Sequence, residues 1–215
     1  MRLVLLGPPG AGKGTLAGLL KDQLGLAHIS TGDILREEMK NNTPLGREAK
    51  QYIENGELVP DEVVTKLIDH KMTGGGMAGD GYMLDGFPRT EQQAQDLDRI
   101  LEKLKKPIEH AIYLDSSLPV IIQRLTGRRI CRNCSALYHI QNKPPKKPGV
   151  CDTCGGEVYQ RSDDNEETIK TRMDVYMANT KPIISYYEAQ GKLQKLDADK
   201  DAKDLQEILM KTIAR

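Results

Sequence analysis

A glycine-rich turn near the N-terminus constrains the fold of this chain more than any other feature. It follows the apolar run Leu-Val-Leu-Leu at residues 3–6, and residues 7–13 read Gly-Pro-Pro-Gly-Ala-Gly-Lys, which satisfies the pattern G-x-x-x-x-G-K. Such a run predicts a short strand buried on both faces of a parallel sheet, and a helix is predicted from Lys13 to about Leu24. Between that strand and helix, glycines allow backbone N–H groups to point at a phosphate, and Lys13 reaches its terminal oxygens. We therefore predict a phosphate-binding loop, with a chance glycine-rich turn as the alternative.

Further apolar runs predict the rest of a parallel sheet. Strands are expected at residues 81–86, 110–115 and 193–196. Stretches of helical pattern separate them, as in βαβ units. The acidic run at 163–167 predicts the cap and first turn of a long helix that continues to about Gln190, and a closing helix is expected from Lys203 to the end. A chain of 215 residues suits one core with insertions. Together with the βαβ units, this predicts a three-layer α/β fold.

Two polar segments are predicted to stand off this core. Residues 30–60 combine helical pattern with turn signals, which indicates a small helical insert. Residues 116–151 contain no acidic residue, and the proline-rich run at 143–149 fits neither a regular helix nor a central strand. A loop-rich insertion is therefore expected, and it is placed at residues 127–164. The core then comprises residues 1–29, 61–126 and 165–215.

The overall composition argues against several classes of partner. Thirty-one basic residues balance thirty-one acidic residues, so no field of one sign attracts nucleic acid or an anionic membrane. The apolar start is far too short for a signal-peptide core or a membrane span. We expect a cytoplasmic monomer that binds neither nucleic acid nor membranes.

All four cysteines fall in the second insertion, as two CxxC pairs. Their pattern is Cys131-x₂-Cys134-x₁₆-Cys151-x₂-Cys154, the spacing of a tetrahedral zinc site with four thiolate ligands. Such a site has no open coordination position, so the zinc is predicted to be structural. Two metal-free, redox-sensitive pairs are one alternative. A zinc-ribbon protein that binds nucleic acid is another, although few aromatic residues lie between the basic ones.

The residue after Lys13 departs from the usual loop pattern. Gly14 stands where Ser or Thr normally supplies a hydroxyl ligand to magnesium, and Thr15 follows one position later. We therefore expect magnesium to be held through water, with Asp85 as the first candidate carboxylate and Asp33 as the second. A capping role is the alternative for both.

Five motifs resemble those of the adenylate kinase family of nucleoside monophosphate kinases. They are Gly-Pro-Pro-Gly-Ala-Gly-Lys-Gly-Thr at 7–15, Ser-Thr-Gly-Asp-Ile-Leu-Arg at 30–36, Asp-Gly-Phe-Pro-Arg-Thr at 85–90, Gly-Arg-Arg at 127–129 and Arg-Ser-Asp-Asp-Asn-Glu-Glu-Thr at 161–168. The resemblance covers essentially the whole chain, including the long lid in which some members carry zinc. It implies a P-loop NTPase-like core with a monophosphate-binding insert and a zinc-bearing lid. It also implies reversible, Mg²⁺-dependent phosphoryl transfer from ATP to AMP, giving two ADP.

The same resemblance implies roles for individual residues. The implied contacts of ATP are Gly10, Ala11, Gly12, Lys13, Gly14, Thr15, Arg124, Arg128, Leu137, Tyr138 and Lys200. The implied contacts of AMP are Thr31, Arg36, Glu57, Leu58, Val59, Gly86, Phe87, Pro88, Arg89, Gln93, Arg161 and Arg172. The groups implied to act in the transfer itself are Lys13, Arg89, Arg124, Arg128, Arg161 and Arg172.

Physical chemistry agrees with an arginine-rich site. The transition state of phosphoryl transfer spreads charge over several oxygens, so positioned cations matter more than a base, and guanidinium groups are planar and always charged. The alternative for any single arginine is a solvated surface charge. Among enzymes, a kinase for UMP or CMP is the alternative. The four histidines are interpreted as structural or exposed.

Overall fold

The computed structural model describes residues 1–74 and 81–213. Its strands are β1 Arg2–Leu6, β2 Ala27–Ser30, β3 Tyr82–Asp85, β4 His110–Asp115, β5 Arg128–Cys131, β6 Leu137–His139, β7 Val158–Tyr159 and β8 Leu193–Asp197. Its helices are α1 Lys13–Leu24, α2 Thr31–Lys40, α3 Pro44–Asn55, α4 Asp61–Thr73, α5 Glu91–Lys103, α6 Leu118–Gly127, α7 Glu166–Val175, α8 Ile183–Ala189 and α9 Ala202–Ile213. Within the described ranges, no helix is both long and apolar enough to cross a membrane.

A five-stranded parallel sheet forms the middle layer, in the order β2-β3-β1-β4-β8. Successive residues of β1 point to opposite faces. Val4 and Leu6 join a core cluster with residues of α4, α5 and α8, whereas Leu3 and Leu5 join a second cluster with α1 and α9. Helices therefore cover both faces of the sheet, and the predicted three-layer α/β fold is confirmed.

The strand order brings the functional loops together. From β1 the chain passes to the edge strand β2, returns through β3 and then crosses β1 to reach β4. In parallel sheets of this kind, ligands bind beyond the carboxyl ends of the strands, where the order reverses. The glycine-rich turn after β1 and Asp85 at the end of β3 both lie at that edge.

Two expectations about secondary structure were wrong in part. The stretch from residue 116, expected to be loop-rich, begins with α6, because buried Ile121 and Leu125 give that helix an apolar face against Ile169 of α7. The helix expected to run to Gln190 is interrupted by a π-helical segment at Tyr176–Thr180. Pro182 follows that segment, and its lack of an N–H prevents the regular hydrogen-bond pattern from continuing. The strand β2 was not predicted. The closing helix was expected to reach the end of the chain, and its last two residues, 214–215, lie outside the described ranges.

The two predicted inserts have different structures. Residues 30–60 hold α2 and α3, which pack on each other. Residues 127–164 hold a small antiparallel sheet in the order β6-β5-β7. The buried cluster of that second segment contains only Cys131, Tyr138 and Cys151, with Ala136 and Val158 packed against them. It therefore has very little apolar material with which to hold its shape.

Candidate active site

The glycine-rich loop encloses the side chain of Lys13. Gly12 caps α1 with a φ of 97°, a left-handed conformation that favours glycine. The Lys13 ammonium donates hydrogen bonds to the carbonyl oxygens of Gly7 at 2.8 Å and Pro8 at 2.9 Å. Burial lowers the pKa of Lys13 to about 8, and the nearby Asp85 carboxylate opposes that shift. The first turn of α1 contains no acidic residue, so this helix end keeps its positive potential for an anion.

Arg124 joins the loop to the C-terminal part of the chain. Its guanidinium donates to the carbonyl oxygens of Ala198 at 2.8 Å, Lys200 at 3.3 Å and Ala11 at 3.4 Å. Arg124 lies on α6, outside the residues expected to form the lid. The structure therefore brings Arg124 and Lys200 together beside the loop.

Asp85 lies close to the position where the loop departs from the usual pattern. A Cβ atom built on Gly14 would be 3.6 Å from Asp85 Oδ2, so a side chain at position 14 would fill space beside that carboxylate. The absence of one leaves room for water between loop and carboxylate, which suits a hydrated Mg²⁺. Asp33, by contrast, accepts hydrogen bonds at Oδ1 from Arg36 at 2.8 Å and Arg161 at 3.3 Å.

Five arginines from distant parts of the chain converge in front of the loop. They are Arg36, Arg89, Arg128, Arg161 and Arg172. Asp164, which is fully buried, accepts hydrogen bonds from Arg128 Nε at 2.7 Å, from Arg128 Nη2 and from Arg172 Nη1 at 3.4 Å. Asp163 accepts at 3.0 Å from Arg172. Burial acts to raise the pKa of Asp163, but the guanidinium groups, that of Arg172 above all, hold it below its usual value.

These arginines carry more positive charge than their partners neutralise. Burial, together with the neighbouring guanidinium groups, lowers the pKa of Arg89 to about 10 and that of Arg161 to about 9. The buried Nε of Arg161 has no hydrogen-bond partner within the described part of the chain. A bound anion would relieve this repulsion and supply the missing acceptor.

A cavity opens between α2, α3 and the end of β3. Its lining consists of Thr31, Gly32, Leu35, Arg36, Ile53, Gly56, Glu57, Leu58, Val59, Val64, Gly86, Arg89, Gln93, Asp163 and Arg172. All the residues implied to contact AMP are in that set except Phe87, Pro88 and Arg161. Phe87 is fully buried in the core. Leu35, Ile53 and Val64 give the cavity an apolar wall, and none of the three was among the implied contacts of AMP.

The four cysteine sulfurs form one compact cluster. All four Sγ atoms lie within 4.8 Å of one another, and the pairs Cys131–Cys154 and Cys134–Cys151 are 3.4 and 3.6 Å apart. A tetrahedral ion with bonds of about 2.3 Å separates its sulfur ligands by roughly 3.8 Å, so the cluster fits one zinc ion. The Tyr138 hydroxyl oxygen accepts a hydrogen bond from the backbone N–H of Asp152 at 2.7 Å and is also hydrogen-bonded to Cys151 Sγ at 3.3 Å. That hydrogen bond, with backbone N–H groups of the cluster, lowers the pKa of the Cys151 thiol to about 6, whereas the neighbouring sulfurs raise the pKa of Cys134.

Two sets of residues make contacts that the sequence did not indicate. Tyr138, implied to lie near ATP, is 6% exposed, and its hydroxyl accepts a hydrogen bond from the backbone N–H of Asp152. The acidic run at 163–167 was interpreted only as a cap and first turn. Asn165 is indeed the cap of α7, followed by Glu166 and Glu167, whereas Asp163 and Asp164 hold arginines. Their position directly after Arg161 in a recognised motif was the one signal that could have indicated this.

The fold and the site define a phosphotransferase of the P-loop class. Comparison with known proteins identifies which one. The family model described as adenylate kinase matches residues 5–192. The adenylate kinase of Caldicellulosiruptor bescii is 51% identical over 90% of this chain and 89% of the relative. That of Bacillus subtilis is 48% identical over 95% of this chain and 94% of the relative. That of Methanocella arvoryzae is 49% identical over 94% of this chain and 93% of the relative. The chain belongs to the adenylate kinase family, and it transfers a phosphoryl group between ATP and AMP. Nothing in these comparisons favours a UMP or CMP kinase or a nucleic-acid binder.

Proposed function

We propose that transfer takes place between two subsites that share the converging arginines. ATP phosphates lie on residues 10–15, and AMP occupies the cavity between α2, α3 and the end of β3. The observation that carries this proposal is the unbalanced positive charge of the five arginines between loop and cavity, together with the unpartnered Nε of Arg161. Two nucleotides bring the negative charge that such a cluster lacks.

The chain's own groups are sufficient to position the phosphates. Backbone N–H groups of the loop and the start of α1 bind the ATP phosphates, while Lys13 exchanges the Gly7 and Pro8 carbonyls for phosphate oxygens. Arg36 and Arg89 orient the AMP phosphate, and Arg128, Arg161 and Arg172 face the group in transfer, where charge develops on the equatorial oxygens. Arg124, Leu137, Tyr138 and Lys200 complete the surroundings of ATP. Exclusion of water prevents hydrolysis, which is the role we assign to residues 30–60 and 127–164 as closing segments.

The metal proposals follow from the donor groups. Asp85, beside the space left by Gly14, holds hydrated Mg²⁺, and the ties of Asp33 to Arg36 and Arg161 make it the weaker candidate. When bound, Mg²⁺ neutralises phosphate charge. Cys131, Cys134, Cys151 and Cys154 hold a structural Zn²⁺. We further propose that the enzyme acts as a cytoplasmic monomer. The balanced charge supports the absence of nucleic-acid and membrane partners.

Loss of either monophosphate arginine is expected to affect one nucleotide only. Arg36→Ala and Arg89→Ala should each weaken AMP binding by on the order of 1.5–3 kcal/mol, because each removes a charged hydrogen bond, while ATP affinity stays nearly unchanged. Calorimetric titration of each variant with AMP and with ATP measures the two affinities. Arg47→Ala, which removes an exposed guanidinium from α3, is the control. Equal losses for ATP and AMP would show that the two subsites are assigned wrongly.

Removal of zinc is expected to loosen the lid without abolishing transfer. Zinc is worth about 10–16 kcal/mol in isolated peptides, and a lid attached to a folded core should show only part of this. A share of about 2.5 kcal/mol, at about 2–4 °C per kcal/mol for a chain this size, means that chelation or Cys151→Ser should lower Tm by about 5–10 °C. Activity should remain measurable at low temperature. Ser162→Ala, an exposed change in the same segment, should leave Tm unchanged. Elemental analysis giving zinc well below one equivalent in fresh protein would contradict the proposal.

A further inference from the structure

The side-chain amide of Gln93 lies in the AMP cavity and is held in one orientation. Gln93 is 2% exposed. Its Oε1 accepts a hydrogen bond from the backbone N–H of Arg89 at 2.7 Å, and its Nε2 donates to Asp61 Oδ1 at 2.7 Å. A backbone N–H can only donate and an ionised carboxylate can only accept. Exchange of the amide oxygen and nitrogen would therefore place two donors face to face and two acceptors face to face.

Asp61 is itself held in place. It begins α4, and its second oxygen, Oδ2, accepts from the hydroxyl of Thr90 at 2.6 Å. Thr90 caps α5, with its Oγ1 accepting from the backbone N–H of Gln93 at 3.2 Å. The start of α4, the cap of α5 and the Gln93 amide thus form one closed hydrogen-bonded unit. Nothing in the proposed transfer chemistry uses Asp61.

A fixed amide offers a base one donor and one acceptor in a fixed order. Gln93 retains one Nε2 hydrogen and one Oε1 lone pair after its two partners are counted. The Watson–Crick edge of adenine presents an acceptor at N1 and a donor at its 6-amino group. A 6-oxo purine presents a donor at N1 and an acceptor at O6, which is the reverse order. A glutamine that was free to flip could serve both edges, whereas one held by Arg89 and Asp61 matches only one.

We propose that Asp61 is a positioning residue that fixes the orientation of Gln93 and thereby selects 6-amino over 6-oxo purine monophosphates. The proposal rests on the assignment of the cavity to AMP. It predicts that Asp61 acts on base recognition and not on the transfer step. Its effect should appear as a change in selectivity between two monophosphates that differ only at the base edge.

The matched substrates for the test are AMP and inosine monophosphate, assayed with ATP. Asp61→Ala removes the acceptor for Gln93. Asp61→Asn is the rescue variant: its oxygen can accept from Gln93, and its NH₂ can donate to Thr90, whose hydroxyl can turn to accept. Gln93→Leu removes the amide itself. Thermal melts establish that each variant is folded at the assay temperature.

In Asp61→Ala, the ratio of kcat/KM for AMP to that for inosine monophosphate should fall about tenfold, the scale of one hydrogen bond. The fall should lie in KM for AMP, with kcat and the KM for ATP nearly unchanged, and Asp61→Asn should restore most of the ratio. A merely structural role would lower Tm and leave the ratio unchanged, which would overturn the proposal. If Gln93→Leu also leaves the ratio unchanged, Gln93 does not contact the base edge and the proposal fails, whereas AMP affinities of Arg36→Ala and Arg89→Ala decide separately whether the cavity binds AMP.

A measurement on the wild-type chain keeps the proposal testable if Asp61→Ala does not fold. The Nε2 protons of Gln93 should exchange with solvent at least about tenfold more slowly than those of the exposed Gln141, because one of them is bound to a carboxylate. Nitrogen-labelled glutamine makes both side chains visible by NMR. Equal exchange rates for Gln93 and Gln141 would show that the amide is not held and would overturn the proposal.

Discussion

Lys13→Met is expected to lower kcat by about two orders of magnitude or more, the effect of removing one group that stabilises developing charge. The ammonium lies inside the loop, bonded to the Gly7 and Pro8 carbonyls, where it can follow charge that grows between the β- and γ-phosphates. Methionine matches the length of the lysine stem but has no charge. The two carbonyls lose a donor, but removal of the ammonium also ends the cost of burying its charge, so the folded state should lose little, and Tm should move by only a few degrees. Coupled assays of ADP formation and a thermal melt measure the two quantities.

The control for this variant lies on the same helix. Lys21 is exposed near the end of α1, and Lys21→Met should keep wild-type turnover. The direction of transfer is a second control, since Lys13→Met should damage ATP formation from two ADP to the same extent. Near wild-type kcat in Lys13→Met would show that the glycine-rich loop is not the phosphate site.

Asp164→Ala is expected to lower the free energy of unfolding by about 3–5 kcal/mol, the cost of breaking a buried ion pair from one side. Asp164 is fully buried, receives two hydrogen bonds from Arg128 and is also within bonding distance of Arg172. Its removal leaves two desolvated guanidinium groups with less compensation, beside arginines whose charge is already in excess. Urea unfolding monitored by circular dichroism measures the change. The loss should persist in high salt, because buried pairs are screened far less than exposed ones.

An exposed acid on the neighbouring helix provides the comparison for Asp164. Asp174 lies on the surface of α7, and Asp174→Ala should change stability by no more than about 0.5 kcal/mol. Addition of nucleotide should recover part of the loss in Asp164→Ala, since phosphate can take the place of the carboxylate between the arginines. A loss below about 1 kcal/mol in Asp164→Ala would mean that water reaches this cluster and compensates for the missing carboxylate.

The amino-acid sequence by itself determined the features that depend on neighbours along the chain. The strand before the loop, the helix from Lys13 to Leu24, the Asn165 cap and the paired spacing of the cysteines each follow from residue types within a few positions of one another. Such local patterns control backbone hydrogen bonding and side-chain periodicity directly. The same patterns, read together as family motifs, were enough to identify the family.

Only the tertiary structure decided which charged and polar groups meet. Asp33 pairs with Arg161, which is 128 residues away along the chain. Asp164 and Arg128 are 36 residues apart, and Asp61 and Gln93 are 32 residues apart. No local rule selects such partners, because they depend on how β3, α4 and α7 are placed around the end of the sheet. The helix α6 was missed for a related reason: its apolar face is stabilised by contact with α7, a contribution that the composition of residues 116–127 does not contain. Burial makes these pairings strong, and burial is a property of the folded chain. The arginines of the site could therefore be identified from the sequence, whereas the acids that bind them were identified only from the structure.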